Sequence, residues 1–505
     1  MKSLINYIIG TAIALVVFTG CSDWLDVNPR SEIKESVLFA SEDGYKKALT
    51  GAYILMAQTD LYGKNTSMYM PELFARNWTV PAISPTDAEI NRINRVANFQ
   101  YTHADVEPMI NKTWLSYYKV IVQLNDILQH LEDNQQVRFA HKNDLLLKGE
   151  ALGLRAFLHL DLLRFFGPVP AGSNPQEPAI PYVMEKTKNP ASLVSIPYSE
   201  VIKNIEADLD AAEQILAEAD PILRYNYDEL NRPQVYIPEG LDDSWQWYRQ
   251  ERFNYYACLG TKARLYQWTG DKEKAAYYAK KVIDAQNSNN TPKFELTKES
   301  DYLNSWWVNL TMHKEQLFGI NNPDLRSIVD PMFNRGTDIK FTQTVTNMNN
   351  CYENTISPSD IRYKPSNAAT RYWEEKTYQS SRVNHFRKYT GNDQIAANNK
   401  VPLLRLAEMY LILVESLPLG EATTYFSAYR IARSMDISIE ATSMADESTR
   451  KVRLEKEYRK EFFGEGQMFF FYKRLNYSAY TWPTNYALPV GVYVLPKPQS
   501  QLIFE

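Results

Sequence analysis

The chain has 505 residues, with 55 Lys and Arg against 60 Asp and Glu and a formal net charge of −5 at neutral pH. So small a charge on so long a chain argues against nucleic acid or acidic polymers as ligands. Hydrophobic content of 44% and charged content of 23% are globular values, and the length allows two or three domains or one large domain with insertions.

Lys2 and a mostly apolar run from Leu4 to Thr19 lead into Gly20-Cys21-Ser22. A positive residue, an apolar core too short for a comfortable membrane span and small residues at a cleavage point describe a secretory signal over residues 1–20. A cysteine at that point resembles a bacterial lipobox, in which the thiol is acylated and the mature chain is held to a membrane by lipid at Cys21. An ordinary signal peptide followed by a coincidental cysteine is the alternative. Residues 21–42 are polar and irregular and read as a linker. Asp23 and Asp26 resemble the acidic signature that sends some Bacteroidetes lipoproteins to the outer face of the outer membrane.

Apolar residues recur at three- and four-residue spacing from Asp43 onward, and this predicts amphipathic helices. They cover about 112–132, 143–166, 197–217, 253–268, 272–286, 402–416, 422–434 and 446–465, and Gly167-Pro168 stops the 143–166 helix. Around Gly270-Asp271, the spacing of Ala263, Tyr266, Ala275, Ala279 and Val282 matches the tetratricopeptide turn, where small residues let two helices pack closely. A helical hairpin without repeat ancestry is the alternative. Glu150, Arg155, His159, Asp161 and Arg164 on the third helix read as a solvated face or as interhelix pairs. Phe469-Phe470-Phe471-Tyr472 reads as core. The segments 86–108, 172–195, 219–249 and 292–400 lack helical period and predict long functional loops. The fold class is therefore mainly α: a tetratricopeptide-like helical scaffold carrying a large irregular, loop-rich lobe.

No motif for catalysis is present. The six histidines form neither HxH nor HExxH, no cluster has metal-ligand spacing, and no nucleophile elbow, phosphate loop or dinucleotide fingerprint occurs. Binding without chemistry, with no catalytic residue, metal or cofactor, is the expectation. A glycosidase carboxylate pair stays open, because its two acids need to be close only in space.

Several segments together resemble the SusD/RagB family. Arg155-Ala156-Phe157 followed by Arg164, Phe166-Gly167 and Val169-Pro170 resembles its "RA-aromatic … R-x-aromatic-G-x-V-P" helix. Pro402 to Glu415, with Arg405, Ala407, Glu408 and Tyr410, resembles "P-L-L-R-x-A-E-x-Y-L-x-x-A-E", with Val414 for the last alanine. Glu457, Arg459, Glu461 and Glu465-Gly466-Gln467 resemble its "ER…E…EGQ" helix, and Pro496 and Pro498 its closing segment. The resemblance implies about four tetratricopeptide-like helix pairs, in SusD-like helical regions at 43–291 and 401–505 with an irregular ligand-lobe segment at 292–400. It also implies an outer-membrane lipoprotein facing the cell exterior, with a SusC-like TonB-dependent outer-membrane transporter as partner and a glycan or peptide as ligand. Neither nucleic acid nor cofactor is implied. Sugar faces stack on aromatic rings, which makes the loop tryptophans Trp78, Trp245, Trp247, Trp306 and Trp307 candidate ligand residues. Two readings compete with nutrient capture: a tetratricopeptide scaffold lipoprotein in envelope assembly, and a surface glycoside hydrolase.

Overall fold

A computed structural model describes residues 35–133, 136–187, 193–232, 235, 238–303, 310–333, 340–353, 360–363, 372–378, 381–389 and 399–505. Cys21, the 1–20 leader, Asp23, Asp26, Trp306 and Trp307 lie outside the described residues. Among the described residues the helical spacing is realised as four hairpin-like pairs. They are α1 (Glu42–Met56) with α2 (Glu107–Asp133), α3 (Asn143–Phe166) with α4 (Tyr198–Ala219), α5 (Tyr255–Thr269) with α6 (Lys272–Ile283), and α7 (Leu406–Ser416) with α8 (Leu419–Ala432). Next come α9 (Glu447–Glu461), which packs on α7, and α10 (Gln467–Arg474), which packs on α9. No described helix is long and apolar enough to cross a membrane.

Local chemistry sets where helices begin and end. Ser41, Asn254 and Asp446 cap α1, α5 and α9 by accepting from the amides of Gly44, Ala257 and Thr449 at 3.3, 3.0 and 2.7 Å. At the predicted tetratricopeptide turn, Gly270 ends α5 at φ +84° and Asp271 starts α6 by accepting from Lys274 N at 3.0 Å. Helices pack closely where side chains vanish: a Cβ at Gly153 of α3 would lie 2.0 Å from the Phe253 ring, and one at Gly149 would lie 2.7 Å from Leu216 of α4.

The chain between α1 and α2 and the chain between α6 and α7 build the second lobe together. Strand β1 (Gln316–Asn321) pairs antiparallel with β5 (Lys400–Arg405), and β2 (Thr342–Thr344), β3 (Trp373–Tyr378) and β4 (Ser381–Phe386) form a sheet in the order β2-β4-β3. Thr79 N donates to Thr342 O at 2.9 Å and ties the two insertions to each other. The expected helix over 402–416 therefore begins only at Leu406, because Pro402–Arg405 are taken by the β1 partner strand. The helix expected over 446–465 stops at Glu461, ahead of Gly464 and Gly466, both at φ +75°. Segments expected to be irregular also hold helices, at Ala88–Ala97 and Leu325–Phe333.

Candidate ligand-binding surface

Glu150, Arg155, His159, Asp161 and Arg164 of α3 are buried and hydrogen-bonded. Arg155 grips Asp208 of α4 through two hydrogen bonds of 2.7 and 2.6 Å and reaches Asn125 of α2 at 2.8 Å. Glu150 accepts from Arg249 at 2.5 Å and from the Tyr53 hydroxyl at 2.7 Å. His159 accepts from Val183 N at 3.1 Å through Nε2, which leaves Nδ1–H to donate to Arg155 O at 2.8 Å, and burial holds its pKa down at about 3. Equivalent ties join three further helices: Arg264 of α5 to Glu408 of α7 at 2.7 Å, and Arg474 of α10 to Glu415 of α7 at 2.6 and 2.7 Å.

Where the lobe meets the scaffold, a larger network is closed off from solvent. Arg405 binds Glu465 at 2.8 Å and Glu461 at 2.6 Å; Arg433 binds Glu315 at 2.9 and 3.0 Å and Glu461 at 3.0 and 2.8 Å. Arg362 of the lobe holds Asp360 at 2.9 and 2.6 Å and Glu461 at 3.0 Å, and Lys388 of the lobe pairs with Glu465. Burial alone would raise the Glu461 carboxyl, but Arg433, Arg405 and Arg362 hold it well below the usual carboxylate range. Each oxygen is used, so the network acts as a rigid mount for the lobe.

Of the tryptophans singled out in the sequence, the described Trp78, Trp245 and Trp247 do not gather into one platform. Trp78 is 1% exposed and enclosed by Phe333, Phe341, Trp373, Phe386 and Phe463 at centroid distances of 5.3 to 5.8 Å. As a ligand-stacking ring it is corrected to the core of the lobe, since both faces are covered by other rings. Trp245 is half-buried, with the Arg252 guanidinium 3.7 Å and the Lys46 ammonium 5.4 Å from its ring centre. Trp247 is half-buried too and donates its indole N–H to Leu241 O at 3.0 Å. Trp306 and Trp307 lie outside the described residues. Cys258 and Cys351 are both buried free thiols, and burial pushes Cys351 up to about 12.

Open clefts lie elsewhere. A groove of about 740 Å³ is lined by Asn125, Gln129, Lys148, Arg155, Tyr182 and Lys186. One of about 350 Å³ is lined by Asn226, Tyr227, Asn287, Asn289, Thr291 and Lys314. A third, of about 480 Å³, opens between α8 and α9 and is lined by Phe426, Arg430, Ser438, Ser448, Arg453 and Lys456, among others. Glu35, Asp126 and His130 stand close enough to hold a metal ion. The cation already between the two carboxylates is Lys186, at 2.8 and 2.9 Å.

Residues 23–226 match the SusD-like family described as "Starch-binding associating with outer membrane". SusD-like protein P25 of Formosa agariphila is 22% identical over 206 residues, which span 40% of this chain and 36% of that relative's length. Among solved structures, a SusD superfamily protein from Bacteroides thetaiotaomicron matches with TM-score 0.66 at 19% identity, over 91% of this chain and 97% of that one. A putative sugar binding protein from Bacteroides vulgatus matches at 0.66 and 18%, covering 92% and 96%, and surface glycan-binding protein A from Bacteroides uniformis at 0.63 and 17%, covering 92% and 98%. Residues 23–226 thus carry a SusD-like match, and the chain shares the fold of the SusD superfamily structures. In this SusD-like chain the family-like residues Arg155, Arg405, Glu408, Glu457, Glu461 and Glu465 are all buried and paired inside the fold, and Arg155, Glu408 and Glu457 also stand at the edges of clefts. The cleft between α8 and α9, where Arg430, Arg453 and Lys456 stand beside Glu353, Asp436 and Glu457, escaped the sequence reading. Its one signal was Arg453 and Lys456, three residues apart on a helix read simply as charged.

Proposed function

We propose that the protein captures a glycan at the cell surface and delivers it to a SusC-like TonB-dependent outer-membrane transporter without making or breaking bonds. The observation that carries this reading is the SusD-like match at residues 23–226, whose family is described as starch-binding and associated with the outer membrane. The shared fold of the sugar-binding and surface glycan-binding proteins from Bacteroides vulgatus and Bacteroides uniformis supports it. So do clefts lined by amides, hydroxyls and an occasional ring, the mixture that orients sugar hydroxyls and covers sugar faces. Attachment to the outer membrane, facing outward, is through lipid on Cys21.

The deciding experiment is a glycan and peptide array probed with the mature chain, residues 22–505. Glycan spots without peptide spots are expected; peptide binding alone would replace the glycan by a peptide ligand. Incubation with each bound polysaccharide should release no shorter product, and product release would restore the hydrolase alternative. Changing Cys21→Ser should release the protein from membranes or leave the precursor uncleaved.

A further inference from the structure

The cleft of about 350 Å³ lies between the turn that follows α4 and the chain that leaves α6. That chain doubles back as a tight hairpin: Asn287 N donates to Thr291 O and Lys293 N to Ala285 O, each at 2.8 Å. Lys293 then pins the hairpin to the turn, its buried side chain donating through Nζ to Ile222 O at 2.8 Å and Tyr225 O at 3.1 Å. Asn226 holds the opposite wall, since its side chain and that of Glu229 form a capping box on the helix Tyr227–Asn231. Both walls are set before a ligand arrives, so less freedom is lost on binding.

Polar atoms on these walls lack protein partners. Asn287 donates through Nδ2 to Thr291 and Pro292, yet its buried Oδ1 accepts nothing. A buried polar atom without a partner carries a desolvation cost that an incoming hydroxyl removes. Lys293 gives two of its three N–H groups to carbonyls and makes no ion pair among the described residues; burial pushes its pKa down to about 8. Beside the cleft, His313 packs on the Tyr227 ring at a centroid distance of 5.4 Å and leaves its own buried Nδ1 unpartnered.

Charge and composition of the lining select the ligand. Lys293 and Lys314 are matched by Asp228 and Glu295, so the cleft offers no net charge to an ionic ligand. Apart from Pro292 and the Tyr227 ring it has no apolar side chain, so a lipid tail or an apolar peptide side chain finds little to bury against. Its main resources are amides, a hydroxyl and that half-buried ring. A pyranose presents hydroxyls along its edge and C–H groups on its face, and this lining answers both. The volume lies near the lower end of the ~300–1,000 Å³ of small-molecule sites, which suits a short stretch of sugar. We infer that this cleft binds a neutral oligosaccharide, with Asn287 and Lys293 hydrogen-bonding its hydroxyls and Tyr227 lying against a ring face. The inference rests on the capture reading above and gives it a place and a ligand class.

Calorimetry on the mature chain with maltotriose, cellotriose and mannotriose as neutral probes and trigalacturonate as the acidic one tests it. At least one neutral probe should bind, with an affinity that raised salt leaves almost unchanged, and trigalacturonate should not displace it. Asn287→Ala together with Lys293→Met should weaken that binding at least about tenfold. Hydrogen exchange on the parent covers the case in which that variant fails to fold: the bound probe should slow exchange in 222–231 and 286–295. Silence from all the neutral probes, or binding that the paired change leaves intact, overturns the inference. So does slowing confined to other segments, displacement by trigalacturonate, or an affinity that falls steeply with salt. Glycan spots on the array in any of those cases leave the capture reading standing; an array without glycan spots removes both.

Discussion

Trp78 shows how one side chain can belong to either account until its surroundings are known. A ring 1% exposed among five other aromatic rings contributes packing, so Trp78→Ala should cost ~3–5 kcal/mol in chemical denaturation. A variant as stable as the parent would return Trp78 to the ligand candidates. Buried carboxyls at single positions also set the pH response, in opposite senses. Burial pushes Glu72 up to about 7 against the pull of Asn77 and the Gly466 amide, from an ordinary value of 4.5. The folded state then holds a proton that the unfolded state has lost, and stability falls as pH rises from 4.5 to about 7. Glu353 behaves conversely: burial opposes it, yet Lys460 and Lys456 bring it to about 2, so its contribution is present above 4.5 and lost as pH drops toward 2. Melting curves of the parent and Glu72→Gln between pH 4 and 8 check the first of these. The melting temperature of the variant relative to the parent should climb between pH 5 and 7, and a constant difference would mean that Glu72 does not titrate there.

At the level of elements, two glycines of the scaffold do different jobs. Gly270 closes the α5–α6 turn at φ +84°, with open space where a Cβ would stand, so Gly270→Val meets backbone strain alone and should cost ~1–2 kcal/mol. Gly153 has ordinary helical backbone, but any Cβ there would lie 2.0 Å from Phe253, and the two cannot occupy that space together. Gly153→Val should therefore lose more stability than Gly270→Val in urea denaturation, and the reverse order would mean that α3 and the Phe253 segment can part without penalty. The element ends follow the same logic. Pro402–Arg405 has the apolar character of the helix that follows it, yet β1 lies alongside and draws it into a strand.

Across the whole molecule, the network around Glu461 decides how the lobe is held. Three arginines from three segments, Arg362, Arg405 and Arg433, converge on one carboxylate with no solvent to screen them. Removing one partner leaves uncompensated buried charge, and Glu461→Gln should cost ~3–5 kcal/mol. Because the lobe chain enters through Glu315 and leaves through Arg405, brief protease treatment of that variant should cut between 292 and 400 before the helical pairs are lost. Simultaneous loss of lobe and scaffold would mean that the network does not act as a separate mount. Such a mount suits capture proteins, since a binding surface held in place loses less freedom when ligand arrives.

Periodicity and turn chemistry are local, and the sequence by itself therefore determined the helical scaffold. The 143–166 helix, the Gly270-Asp271 break and the core role of Phe469 to Tyr472 all stand where spacing puts them. Family-like segments around Arg155, Arg405 and Glu461 were readable as patterns, though not as what they are. Whether a charge faces water or another charge depends on residues up to hundreds of positions away, as Arg164 and Gln467 illustrate, and only the tertiary structure brings such partners together. The clefts belong to the same class. Arg430 and Arg453 sit on separate helices, Trp78 and Phe386 on separate insertions, and no local spacing tells that the first pair opens to solvent while the second closes into a core.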